Sequence, residues 1–200
     1  MKQVISGAFD TLSHCMETYM GKPQATNLSD EINEAVMRNV ITNLRRLIRN
    51  PDDDFARGEL MWASAMAENG MLKLGKQTDF QCHMIEHAVG AYTDCNHGQG
   101  LAVIHPALYR RLLEAGKEKL ARMAETVWGV KGTTIEETAM RGIEALEAFI
   151  REIGLPTHWS EMGITDESML RAAADTCFIT PGCCRQLTRD EIFELLMERM

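Results

Sequence analysis

The apolar residues of this sequence recur three and four positions apart, between helix starts and helix stops, from one end of the chain to the other. Ile32, Val36, Val40, Leu44 and Leu47/Ile48 form the longest such stripe, and a 3.6-residue period places them on one helix face. No stretch sustains the period-two alternation of a strand, and no hairpin turn separates two candidate strands. The pattern therefore excludes a sheet and predicts an all-α fold.

Start and stop residues divide the chain. A first helix runs from about Gln3 to Met20 and is stopped by Gly21 and Pro23. Ser29 is placed as the N-cap of a long helix to Arg49. Asn50 and Pro51 end it, and Asp52, Asp53 and Asp54 cap the next, which continues to about Leu74. Thr78 and Asp79 are expected to cap a helix carrying His83 and His87 that ends near Thr93 to Asn96. A further helix runs from Leu101 to about Glu114, with Pro106 expected to kink or reset it, and another from Lys117 to Trp128, closed by Gly129 and Gly132. Thr134 to Glu137 reads as a capping box for a helix to about Ile153, ended by Gly154 and Pro156. A helix from about Asp166 to Thr176, a loop at Thr180 to Arg185 and a final helix capped by Thr188 and Glu191 complete the chain. There is no internal repeat and no linker, so residues 1–200 are taken as a single helical domain.

Composition narrows the partners. A net charge of −8 argues against nucleic acid, which requires clustered basic surface. The one basic run, Arg45, Arg46 and Arg49, suits the solvated end of a helix. No apolar run approaches the roughly 18 residues that span a bilayer, and the first residues lack the apolar core of a signal peptide. Six cysteines without such a signal point to reduced thiols and a cytoplasmic setting. Cys15 and Cys82 adjoin His14 and His83 but sit about 100° around a helix from them, hence facing the interior. The adjacent Cys183 and Cys184 lack the spacing of a zinc or redox motif.

Four of the six histidines form a constellation. Asp10 and His14 are one turn apart, as are His83 and His87, and each pair can aim both side chains at one point. His97 stands at a loop-to-helix junction, backed by Gly98 and Gly100 that let neighbouring backbone approach. One carboxylate with several imidazoles suits Zn²⁺ or Fe²⁺ and does not suit Ca²⁺ or Mg²⁺. Spacing alone pairs His83 with His87 as ligands. A competing reading is a zinc peptidase of the H-x-x-E-H type, in which both histidines bind zinc and Glu86 activates water. It leaves Asp10, His14 and His97 without a role. The plainest alternative is a metal-free helical interaction module with its histidines scattered through core and surface. No βαβ unit or strand-borne G-x-G-x-x-G marks a nucleotide site.

The stretches Gly7 to Glu17, Trp62 to Gly70, Asp79 to Tyr92 and His97 to Pro106 resemble the C-terminal, helical, metal-binding domain of the iron-containing (group III) alcohol dehydrogenases, most closely the butanol dehydrogenase branch. The resemblance covers essentially the whole chain. It implies the helical domain of the iron-containing alcohol dehydrogenase and dehydroquinate synthase-like type. It also implies that Asp10, His14, His83 and His97 ligate Fe²⁺ or Zn²⁺, and that His87 is a catalytic residue lining the substrate pocket beside the nicotinamide. Glu86 then becomes a structural or supporting group.

The implied reaction is reversible hydride transfer between a small primary alcohol or aldehyde and NAD(H) or NADP(H), the metal acting as Lewis acid. His87 would relay the alcohol's proton. Members of the family carry the dinucleotide on an N-terminal α/β half, which is not among these residues. The chain alone is therefore expected to bind metal without oxidising alcohols, and to form a homodimer or otherwise self-associate through an exposed cleft surface.

Overall fold

The computed structural model describes residues 1–200. Eight α-helices follow one another: α1 (Lys2–Tyr19), α2 (Leu28–Arg49), α3 (Asp54–Glu68), α4 (Gln81–Thr93), α5 (His97–Met123), α6 (Ile135–Glu152), α7 (Glu167–Thr176) and α8 (Arg189–Met197). The only β-type pairing is an isolated antiparallel bridge between Lys22 and Gln77. No helix is long and apolar enough to cross a membrane.

A continuous core of 48 buried side chains runs through all eight helices. Its axis is α5, which packs on α1, α4, α6 and α8. Expected boundaries at the ends of α1, α6 and α7 and the capping box of Thr188 and Glu191 are found in place. All six cysteines are free, and Cys15 and Cys82 are fully buried.

Four expectations are corrected. The N-cap of α2 is Asn27, in a capping box with Asp30; the Ser29 hydroxyl instead donates to the Leu74 carbonyl at 2.8 Å. Helix α3 ends at Glu68 because Gly70 turns left-handed at φ 87°, and a short 3₁₀ turn, Met71–Lys73, follows. Neither Thr78 nor Asp79 caps α4, whose first residue follows Phe80 at φ 52°.

The fourth concerns α5, which starts at His97 and is unbroken to Met123, through Pro106 and Gly116. Proline inside a helix costs about 3 kcal/mol, but nearly every α5 side chain from Gly98 to Tyr109 is buried, and that burial outweighs one missing hydrogen bond. Gly116 is a packing residue and not a stop: a Cβ there would meet the Met20 Cε at 2.7 Å.

The N-terminal half of α2 buries polar residues. Asp30 is fully enclosed and accepts from Lys76 Nζ and from Lys119 Nζ, the latter at 2.8 Å, while both ammoniums also donate to the Tyr19 carbonyl. Beside it, Glu34 accepts from Tyr19 Oη at 2.9 Å and Arg122 Nε at 2.6 Å. Ile32 and Val36, placed in the apolar stripe, are only partly buried and line a groove with Trp62 and Met66 of α3.

Candidate metal centre

Three imidazoles converge on one carboxylate oxygen. Asp10 Oδ1 lies 3.4 Å from His14 Nε2, 3.2 Å from His83 Nε2 and 3.3 Å from His97 Nε2. The Nε2 atoms of His14 and His83 are 3.0 Å apart. These side chains come from α1, α4 and α5, and the Asp10/His14 pair shares one face of α1 as its spacing requires. Donors tetrahedrally placed about 2.1 Å from a common ion stand roughly 3.4 Å from one another. Asp10, His14 and His83 bring donor atoms within 4.8 Å of one another and His97 joins them through Asp10, a donor set whose chemistry suits a divalent metal of the zinc or ferrous type.

Each of the three imidazoles meets a second carboxylate at its other nitrogen. Glu17 receives Nδ1 of His83, and Glu86 receives Nδ1 of His97. Glu68 lies against Nδ1 of His14 as an ion-pair contact without hydrogen-bond alignment. Glu17 also accepts the backbone N–H groups of Cys82 and His83, the second at 3.3 Å. It thus occupies the N-terminus of α4, where orphan donors and the helix dipole favour an anion. Glu86 is held by Cys95 Sγ at 3.6 Å and by Gly100, where a Cβ would come within 2.8 Å of it. Gly98 lets the Ser6 backbone approach, since a Cβ there would meet its carbonyl oxygen at 2.3 Å.

The electrostatics follow from these contacts. Burial would raise the Asp10 carboxyl, but hydrogen bonds from His83 and His97 hold it well below the usual range. Burial would lower His83, yet Asp10 and Glu17 carry it up to about 9. Asp10 and Glu86 lift His97 to about 10, whereas burial and the charge of His83 pull His14 down to about 4.

His87 stands apart from the convergence. Its ring is 5.9 Å from that of His83 and 5.2 Å from that of His97; it is exposed and forms no hydrogen bond or ion pair. Burial and the His97 charge keep its pKa below the ordinary value. Its nitrogen nevertheless falls within 4.8 Å of donor atoms on Glu86 and His97. Phe80, in its left-handed conformation, packs its ring 5.1 Å from His14 and 4.9 Å from His83. That backbone costs of order 1–3 kcal/mol and sets an apolar wall against two of the imidazoles.

The sequence profile described as Fe-containing alcohol dehydrogenase family, C-terminal, matches residues 4–200. The chain belongs to the iron-containing alcohol dehydrogenase family. It is 32% identical over 198 residues to the NADH-dependent butanol dehydrogenase A of Clostridium acetobutylicum, covering 96% of this chain and 51% of that protein. It is 30% identical over 168 residues to an NADPH-dependent aldehyde reductase of Escherichia coli, covering 84% of this chain and 43% of that protein. The crystal structure of a butanol dehydrogenase A from Thermotoga maritima superposes with a TM-score of 0.91 at 30% identity, over 99% of this chain and 52% of the other. The chain spans about half the length of the curated relatives it matches.

Within the family's helical domain, Glu17 and Glu68 are site residues that sequence reasoning left without a role. Asp10, His14 and Glu17 are spaced four and then three apart, so one helix face carries all three and could have disclosed Glu17. Glu68 offered no such signal: it reaches His14 across 54 positions of sequence. Glu86, read as structural or supporting, is 2% exposed and committed to His97. That contact agrees with a supporting role for Glu86, and none of the relatives above is a peptidase of the H-x-x-E-H type.

Proposed function

We propose that residues 1–200 form one metal-binding domain of an enzyme that interconverts small primary alcohols and aldehydes with NAD(H) or NADP(H). Asp10, His14, His83 and His97 would hold Fe²⁺ or Zn²⁺, and His87 is the catalytic residue beside them. The observation that carries this reading is the convergence of three Nε2 atoms within 3.2–3.4 Å of Asp10 Oδ1. The activities of the relatives, butanol dehydrogenase and aldehyde reductase, support the substrate class.

A metal bound there supplies Lewis acidity toward a substrate oxygen. The chain's own residues do the rest. Asp10, whose carboxyl is held well below the usual range against the effect of burial by hydrogen bonds from His83 and His97, compensates positive charge at the centre of the three imidazoles. Phe80 lays an apolar ring against His14 and His83. His87, exposed and unpaired, is free to take the hydroxyl proton of an alcohol at a ring nitrogen and release it to solvent, a task suited to an imidazole. The dinucleotide is assigned to a segment outside these residues, and the 200-residue polypeptide by itself is expected to bind metal without oxidising alcohols. Self-association belongs to the same proposal, supported by Met61 and Trp62, which are 70% and 63% exposed on α3. A reducing, cytoplasmic setting agrees with six unpaired cysteines.

Elemental analysis of His14→Ala and His87→Ala against the parent protein tests the ligand set. The expected result is one ion per chain in the parent and in His87→Ala, and loss of the ion in His14→Ala. Retention by His14→Ala with loss in His87→Ala would return the pairing that spacing alone favours. A parent without metal would leave only a helical interaction module.

A further inference from the structure

Three glutamates surround the candidate metal centre, one behind each imidazole. Glu68 of α3 meets His14 of α1, Glu17 of α1 meets His83 of α4, and Glu86 of α4 meets His97 of α5. Every contact joins two different helices, and every one is made to Nδ1, leaving Nε2 turned toward Asp10. A neutral imidazole has one N–H and one lone pair, so a carboxylate that takes Nδ1–H fixes the lone pair on Nε2.

We infer that Glu17, Glu68 and Glu86 are positioning residues that set the tautomer and ring orientation of the three imidazoles, and that Glu17 and Glu86 dominate while Glu68 is the weak member. This rests on the metal reading above. The ranking comes from burial and anchoring. The side chains of Glu17 and Glu86 are 0% and 2% exposed, whereas Glu68 is 50% exposed. Glu17 is fixed by two backbone N–H groups and Glu86 by Cys95 and the close backbone of Gly100. Glu68 has only Lys73 Nζ, 3.9 Å away, and it sits at the last residue of α3. Water competes for an exposed carboxylate, so its hold on His14 is screened.

Co²⁺ serves as the probe, because its visible bands report ligand geometry directly and its affinity can be measured against a chelating dye. The full 200-residue chain is used throughout. Glu86→Ala is expected to bind Co²⁺ 10–100-fold more weakly and with shifted bands. Glu86→Gln, whose amide oxygen still accepts from Nδ1–H, should recover most of the loss. Glu68→Ala should change affinity less than tenfold. It lies far enough in solvent to leave the fold intact, and so keeps the comparison valid even if Glu17→Ala fails to fold. Variants that lower the melting temperature yet leave Co²⁺ affinity and bands unchanged would show a structural role only and overturn the inference. Equal losses in Glu68→Ala and Glu86→Ala would overturn the ranking. A parent chain that does not bind Co²⁺ removes the metal reading itself, a failure distinct from both.

Discussion

Replacing Asp79 by asparagine isolates the cost of an acid buried beside the candidate metal centre. Asp79 is fully enclosed, and neither carboxylate oxygen meets a well-aligned hydrogen-bond donor, the Gln81 backbone and the Cys183 thiol offering only partial compensation. Its backbone leaves the side chain no way out: the N–H donates to the Glu17 carbonyl at 3.1 Å, and the carbonyl accepts from Thr180 Oγ1 and Cys183 Sγ. Burial and the neighbouring charge of Glu17 push the carboxyl from 3.8 up to about 7. The folded value is thus above the unfolded one, so the fold holds a proton that the unfolded chain gives up. The resulting stability is fully present below about pH 4 and is lost as the pH rises through 7.

A displacement of about three pH units corresponds to an upper limit of about 4 kcal/mol, at 1.36 kcal/mol each. Of this, roughly 2–3 kcal/mol falls between pH 5 and pH 8. Asparagine cannot ionise, and any misfit of its amide is an offset independent of pH. Urea unfolding of both proteins at the two pH values, with a chelator present, measures the difference. Asp79→Asn should gain on the parent by roughly 2–3 kcal/mol in going from pH 5 to pH 8. The same stability difference at both values would refute the argument and place Asp79 in contact with water.

The remaining expectations address the buried ion network, the close glycines and a surface control. Asp30→Ala strands two enclosed ammoniums and should cost about 3–5 kcal/mol by urea denaturation. Arg45→Ala, breaking an exposed pair with Glu152, should cost no more than about 1 kcal/mol in the same assay. Gly98→Ala drives a Cβ into the Ser6 carbonyl and should destabilise by about 1–3 kcal/mol. Gly100→Ala instead displaces the Glu86 side chain, so its larger effect should be a weaker Kd for Co²⁺, of order tenfold.

Local signals carried most of the fold. Stripe periodicity and terminators located α1, α6, α7 and α8 because those ends are made by residues next to one another in sequence. The ends that differ are made by distant partners. The start of α4 was placed to within about two residues but given the wrong cap, because the capping carboxylate is Glu17, 65 residues before Cys82. Helix α5 looked kinked at Pro106 and divided between Glu114 and Lys117, where Gly116 lies, and burial of the surrounding side chains carries the helix through both. The apolar reading of α2 missed Asp30 and Glu34 for a related reason: their burial depends on Lys76, Lys119 and Arg122, which no window of sequence brings together.

Helical spacing made two pairs legible, Asp10/His14 and His83/His87, with His97 nearby; the set Asp10, His14, His83 and His97 came from the family resemblance, and three of its imidazoles do stand around Asp10. Why His83 and not His87 faces Asp10 is settled at the first turn of α4. Glu17 binds the backbone N–H of His83 and its Nδ1 with the same carboxylate. The helix can therefore begin only in the register that presents His83 to α1. Sliding α4 by one residue would rotate its side chains by about 100°, break the cap and withdraw the imidazole together. Glu17 itself stands on the face of α1 that carries Asp10 and His14, so the orientation of α4 is fixed by the same helix that supplies two members of the cluster. A single buried carboxylate thus ties the start of one helix to the aim of one candidate ligand, and His87, one turn further along, is left at the edge of the site with its nitrogens unengaged.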